Sequence, residues 1–185
     1  MKQMGIFLAI VFAILATTTG LRLRRSCPTV VTKPDFNITR YAGTWYEARR
    51  IANLYTFALK CVKAEYTVLG NGDISVTNSG FTKWFSYPIV ATGTATVPNP
   101  AEPGRLSVSF NEGSDGPYLV LDTDYDNYAV VYTCTDYYGL FATEIAWILQ
   151  RNRGYLLQGA ETTQINNLFQ IYNIRPLGNS DNSNC

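Results

Sequence analysis

The chain has 185 residues, with 15 Lys and Arg against 14 Asp and Glu, four Cys, 14% aromatic residues and no His; these proportions suit one folded domain and exclude a disordered chain. Hydrophobic residues make up 46%, and a chain of this length can bury roughly 68–70% of its unfolded surface, so a core needs no metal to form. Without an imidazole there is no Ser-His-Asp or Cys-His machinery, no His-ligated haem and no HExxH zinc site.

Lys2 precedes an apolar run from Gly5 to Ala16, and the small residues Thr18, Thr19 and Gly20 follow. This is the charged, apolar and cleavable layout of a secretory signal peptide over residues 1–20. A membrane anchor is the other reading, but the run is shorter than the ~20 apolar residues a spanning helix needs. One domain over 21–185, secreted and extracellular, is the expectation. Removing Lys2 leaves 14 basic and 14 acidic residues, a balance with no electrostatic footprint for nucleic acid. Arg22-Leu23-Arg24-Arg25 reads either as a dibasic site trimmed before Ser26 or as a solvated tail.

Export gives the cysteines their meaning. Cys27, Cys61, Cys134 and Cys185 form an even set with no CxxC pair, which in an oxidising compartment indicates two disulfides and no metal site. Four cysteines allow three connectivities, and the residues alone do not choose among them. Asn37-Ile38-Thr39 is an N-glycosylation sequon, and Asn37 can equally cap a helical turn before Arg40 and Tyr41.

From Gly43 onward the pattern is of short strands punctuated by turns. A strand begins at Thr44. Cys61 to Leu69 is β-rich, stops at Gly70-Asn71-Gly72, and alternation resumes over Asp73 to Asn78, a hairpin signal. Ile89 to Val97 ends in Pro98-Asn99-Pro100, and Leu106, Val108 and Phe110 alternate with Ser107 and Ser109. Tyr118 to Asp122, Asn127 to Cys134 and Ala142 to Gln150 complete eight strands at the spacing of an all-β barrel or sandwich. Ala160 to Gln170 breaks the pattern: Ile165, Leu168 and Phe169, with Leu157 upstream, have the spacing of one amphipathic helix packed outside the sheet. Asn179 to Asn184 reads as a soluble tail that returns Cys185 to be tied down.

Three separated segments then matter together: Asn37-Ile38-Thr39-Arg40-Tyr41-Ala42-Gly43-Thr44-Trp45-Tyr46-Glu47, Leu121-Asp122-Thr123-Asp124-Tyr125-Asp126-Asn127-Tyr128-Ala129, and Ala146-Trp147-Ile148-Leu149-Gln150-Arg151-Asn152. In this order, after a signal peptide and before a single helix, they resemble the three signature regions of the lipocalin family, most like the branch of apolipoprotein D, insect bilin-binding proteins and crustacyanins. The resemblance implies an eight-stranded antiparallel up-and-down barrel with one C-terminal α-helix outside. It also implies the pairs Cys27–Cys134 and Cys61–Cys185. Crustacyanin-like chains typically carry a third pair of cysteines, which this chain lacks.

A barrel blocked at one end needs a bulky plug. Trp45 under the guanidinium of Arg151 would supply it through a cation–π contact of about 0.5–2 kcal/mol, with Gly43 permitting the sharp turn into the strand and Asp124 accepting backbone N–H groups in its own turn. If Cys61 and Cys134 face outward, alternation turns Val62, Ala64, Tyr66 and Val68 inward, and Ala129, Val131 and Thr133 with them. The same rule turns Glu47 and Arg49 inward as a pair near the floor, together with Ile145, Trp147 and Leu149, and Ile74, Val76 and Asn78. Comparison with the family adds Tyr118 and Val120. The candidate ligand contacts are therefore Tyr66, Asn78, Tyr118, Val120, Val131, Ile145, Trp147 and Leu149, joined at the mouth by Tyr55 and Phe57. The same parity would serve a filled core, and only the resemblance favours a cavity.

The resemblance implies a carrier, without a cofactor in the usual sense. The competing reading is a lipocalin-type enzyme, which would use a free thiol or a His-bound haem, whereas this chain has no His and its four Cys are expected in disulfides, so no enzyme is expected. The bound molecule would be a lipophile or chromophore of the bilin, carotenoid, retinoid, fatty-acid or steroid class, held with its less polar part deep. The mouth segments 53–59, 81–87 and 137–141 are rich in aromatic residues. Such loops suit a ligand mouth, a lipid surface or self-association, and the last fits a sequestering pigment or defence protein.

Overall fold

A computed structural model describes residues 24, 26–51, 57–110 and 115–185. The signal-peptide reading of residues 1–20 falls outside this set. Eight strands in chain order form a meander: β1 (Gly43–Arg50), β2 (Leu59–Val68), β3 (Ile74–Thr82), β4 (Pro88–Thr96), β5 (Arg105–Phe110), β6 (Gly116–Thr123), β7 (Tyr128–Tyr137) and β8 (Phe141–Gln150). Each pairs antiparallel with its successor, and β1 pairs with both β8 and β2, closing the barrel. A helical turn, α1 (Ile38–Tyr41), leads into β1, and α2 (Gly159–Ile171) lies outside, followed by the short strand β9 (Gly178–Asn179).

Period-two alternation sorts the apolar residues into two layers. Trp45, Tyr66, Val76, Val108, Val120, Val131 and Leu149 belong to the interior cluster. Their neighbours Leu119, Leu121, Val130, Tyr132 and Ile148 face outward and pack with Ile165 of α2. The helix has the position that the spacing of Ile165, Leu168 and Phe169 predicts. Its first turn is held by Glu161, whose carboxylate accepts the Gln158 backbone N–H at 2.6 Å.

Both disulfides link a tail to the barrel, Cys27 to Cys134 on β7 and Cys61 on β2 to Cys185. The C-terminal segment is more than a tail. After Tyr46, β2 parts from β1, and β9 takes that edge through Arg49↔Asn179 and Arg50↔Gly178 while β8 still holds the other. The Cys61 N–H then donates to the Asp181 carbonyl at 2.8 Å. Residues 178–185 thus form a strap across the seam where the first two strands diverge.

Two expectations are corrected. Arg24 is not a solvated tail residue: its guanidinium pairs with the buried carboxylate of Glu144 and donates to the Tyr172 carbonyl at 2.7 Å. Arg175 binds the other oxygen of Glu144 at 2.9 Å. Arg49 does not point inward beside Glu47. A bulge between Glu47 and Arg49 inserts one residue against β8 and inverts the parity beyond it, so Arg49 is exposed and Arg50 is buried. Arg50 makes the ion pair with Glu47, at 2.5 Å.

Candidate functional site

One end of the barrel is closed from the residues upward. Asn37 caps α1 by accepting the Arg40 N–H on its Oδ1 at 3.0 Å, and the turn delivers Tyr41 and then Gly43. Gly43 has φ +99°, and a Cβ there would stand 3.2 Å from an Arg151 nitrogen, so the position requires glycine on both counts. Trp45 is fully buried, its Nε1–H donating to the Tyr41 carbonyl at 2.8 Å. The Arg151 guanidinium lies 3.8 Å above the Trp45 ring centroid.

Asp124 holds the turn between β6 and β7. Its Oδ1 accepts the backbone N–H groups of Asn127 at 2.8 Å and Tyr128 at 2.9 Å, and its Oδ2 accepts the Asn127 side chain at 2.7 Å. Burial raises the carboxyl pKa, but these donors together outweigh it and leave the pKa below its ordinary value. A depressed folded pKa contributes stability above the unfolded value near about 3.9, lost as pH falls through the folded value. Asp124→Asn is accordingly expected to lower stability at pH 7 by about 1 kcal/mol and to flatten the stability curve below pH ~4. Urea titrations across pH that give parallel curves for parent and variant would refute this.

Above the plug lies a cavity of about 420 Å³, within the range of small-molecule pockets. Val62, Ala64, Tyr66, Val76, Asn78, Val108, Phe110, Tyr118, Thr133, Trp147 and Leu149 are among its walls. Of the residues singled out in the sequence, Tyr66, Asn78, Tyr118, Trp147 and Leu149 line it. Val120 and Val131 do not: they are fully buried in the interior cluster, because alternation gives the side a residue faces but not whether a neighbour covers it. Ile145 is half-buried and stands outside the wall. Phe57 sits at the mouth, 6.3 Å from the Trp84 ring and largely exposed, and Tyr55 lies outside the described residues. The other mouth aromatics also pair, as Tyr137 does with Phe141 at 4.7 Å. They stay in solvent nonetheless: Tyr138 is 98% exposed and Leu140 79%.

Two polar features stand out in the wall: the sequence placed the first, Glu47, inward, and gave no sign of the second. Glu47 lines the cavity with its carboxylate also accepting the Ser180 hydroxyl at 2.7 Å. Burial pushes its pKa up against the opposing pull of Arg50, Ser180 and the Trp147 side chain. The second feature is a chain of phenols. The Tyr66 hydroxyl donates to that of Tyr118 at 2.7 Å, and the Tyr41 and Tyr118 hydroxyls are 2.7 Å apart. Burial pushes Tyr66 up to about 12 and the other two well above their ordinary value. Tyr41 was hidden because its ring comes from the four-residue turn before the barrel, where no strand parity applies.

The family model described as lipocalin / cytosolic fatty-acid binding protein matches residues 42–157. Apolipoprotein D of Mus musculus is 34% identical over 154 residues, 82% of this chain and 80% of that protein. The Lazarillo protein of Schistocerca americana is 41% identical over 123 residues, 64% of this chain and 57% of that protein. Among solved structures, insecticyanin from the tobacco hornworm Manduca sexta superposes with a TM-score of 0.71 at 24% identity, covering 86% of this chain and 87% of its own. Lobster apocrustacyanin A1 gives 0.67 at 23%, with 85% and 91% covered. These two likenesses concern the fold.

Proposed function

The chain belongs to the lipocalin / cytosolic fatty-acid binding protein family, and from that premise we propose that it is a secreted carrier that reversibly holds one small hydrophobic ligand in its barrel. The observation that carries this reading is the cavity of about 420 Å³ between the Trp45 plug and the mouth, walled by Tyr66, Tyr118, Trp147 and aliphatic side chains. Binding there is driven by desolvation, at about 25 cal/mol per Å² of apolar surface removed from water. All four cysteines are in disulfides and there is no His. Neither a thiol nor an imidazole is therefore offered to a substrate, which supports a carrier over a catalyst. Secretion is supported by the leader pattern of residues 1–20 and by the two disulfides.

Fluorescence tests the reading with little ambiguity, because the three tryptophans have separate places. Trp45 is buried in the plug, Trp84 is exposed at the mouth, and Trp147 lines the cavity. Titration of the delipidated protein with a bilin, a retinoid and a fatty acid is expected to give saturable quenching with at least one of them. Trp147→Phe is expected to remove most of that signal. Quenching that persists unchanged in the variant would move the site elsewhere, and no binding by any lipophile would sink the carrier reading.

A second reading, sequestration of the ligand within an oligomer, is favoured by the exposed Tyr138, Leu140, Trp84 and Phe85. A patch of that kind suits self-association or a lipid surface. Sedimentation across a concentration series separates this from a monomeric carrier.

A further inference from the structure

Three segments far apart in sequence place three hydroxyls together at the deep end of the cavity: Tyr41 from α1, Tyr66 from β2 and Tyr118 from β6. The rings of Tyr41 and Tyr66 are 5.3 Å apart and those of Tyr66 and Tyr118 6.0 Å. Three hydroxyls carry three protons, and the two hydrogen bonds of the chain use two of them. The Tyr66 proton goes to Tyr118, and either partner can donate in the Tyr41–Tyr118 pair. The third proton therefore rests on Tyr118 or Tyr41, and no acceptor for it stands among the described residues. Tyr41 is 1% exposed, whereas Tyr118 is half-buried and lines the cavity. With Tyr118 accepting from both neighbours, its own O–H is the donor that faces the lumen. A ligand that fills the cavity removes the water to which this O–H can donate, so a ligand that brings an acceptor keeps the donor satisfied and a pure hydrocarbon does not.

The charges on the wall decide which acceptor. Glu47 is paired with Arg50, and Lys63 is paired with Glu65 at 2.9 Å. Arg151, over the Trp45 ring, spends its N–H groups on backbone carbonyls, so a carboxylate pushed to the floor would lose its hydration without gaining a charge-assisted hydrogen bond from that cation. A neutral oxygen loses far less.

Resting on the carrier reading above, we propose that the Tyr41–Tyr118–Tyr66 chain is a hydrogen-bond donor site for a neutral carbonyl oxygen, so that the preferred ligand is an apolar ketone or aldehyde seated carbonyl-first rather than a fatty-acid anion. The raised phenol pKa values keep the donor protonated throughout the physiological range. This orientation is the reverse of the sequence expectation, which puts the less polar part of the ligand deep.

The test uses three ligands of one length, 2-tetradecanone, tetradecane and tetradecanoate, competing against the neutral fluorophore N-phenyl-1-naphthylamine on the delipidated protein. The ketone is expected to bind at least tenfold more tightly than either of the others. Its ¹³C-labelled carbonyl stretch is expected to fall on binding, relative to hexane. Tyr66→Phe alone leaves one spare proton on the Tyr41–Tyr118 pair and should keep the preference. Tyr66→Phe combined with Tyr118→Phe removes both hydroxyls on the wall, and should bring the ratio of ketone to tetradecane affinity to about one and abolish the infrared shift. If the double variant does not fold, the ligand comparison and the infrared shift on the parent decide alone. A ketone no tighter than tetradecane, an unshifted carbonyl, or tetradecanoate as the tightest ligand overturns the donor site while leaving the carrier intact. Failure of the fluorophore and all three ligands to bind overturns both.

Discussion

Arg151→Ala is expected to lower the unfolding free energy by about 3 kcal/mol, well above the ~0.5–2 kcal/mol of its cation–π contact alone. The excess comes from where its N–H groups go. Nε donates to the Tyr125 carbonyl at 2.9 Å and Nη1 to that of Thr44 at 2.9 Å. Nη2 reaches the Arg40, Tyr41 and Ala42 carbonyls at 3.0, 3.2 and 3.0 Å. One side chain at the end of β8 thus gathers the end of α1, the start of β1 and the turn after β6, and satisfies carbonyls that the short α1 leaves without helical partners. Charge-assisted bonds contribute roughly 1.5–3 kcal/mol each in favourable settings. Part of the guanidinium is in water and the bonds are not additive, so the figure stays near 3. Arg151→Lys keeps the charge but loses the planar fork, and is expected to recover less than half of the loss. The measurement is the urea midpoint at unchanged m-value. A midpoint within error of the parent for Arg151→Ala would mean that the closed end does not depend on this residue.

The closed end was legible because it rests on residue types with few alternatives. Once the resemblance supplied a plugged barrel, a Trp at the start of β1, an Arg just past the end of β8 and an Asp in a turn each had one obvious place in it. The cavity wall was legible only as a face. Parity found Tyr66, Asn78, Trp147 and Leu149, and the family comparison Tyr118, but parity gave Val131 and the comparison Val120 the same status, because neither carries information on what lies over a side chain. Arg49 was misplaced for a different reason. The bulge after Glu47 depends on how β1 shares its edges with β8 and β9, a tertiary matter with no local signal in Glu47-Ala48-Arg49-Arg50. The ion cage around Glu144 did leave a trace: an acidic residue at an alternating position within an otherwise apolar strand needs a cation, and Arg24 and Arg175 supply it from the two tails.

Removing the Cys61–Cys185 bridge, as Cys61→Ala with Cys185→Ala, is expected to lower stability by about 3–4 kcal/mol. The bridge closes a loop with a sequence separation of 124, for which the chain-entropy model gives about 4.7 kcal/mol, with delivered values usually smaller. The Cys27–Cys134 bridge closes a separation of 107 and has nearly the same entropic worth, so the two double variants should melt alike. They should differ in the cavity. The strap that Cys185 fixes places Ser180 on the Glu47 carboxylate and Asn182 on the Glu47 carbonyl, at 2.7 and 2.9 Å, and Glu47 lines the wall beside Trp147. Cys27 instead ties the N-terminal segment to β7, whose Cys134 packs with the outer layer. Loss of the strap is therefore expected to weaken 2-tetradecanone or retinoid binding several-fold and to shift Trp147 emission to the red, whereas loss of the Cys27 bridge should leave both unchanged at temperatures where each variant is folded. Equal ligand affinity in the two variants would confine the strap to a stabilising role, and equal stability of the Cys61/Cys185 variant and the parent would mean that β9 and its hydrogen bonds hold the seam without the covalent link.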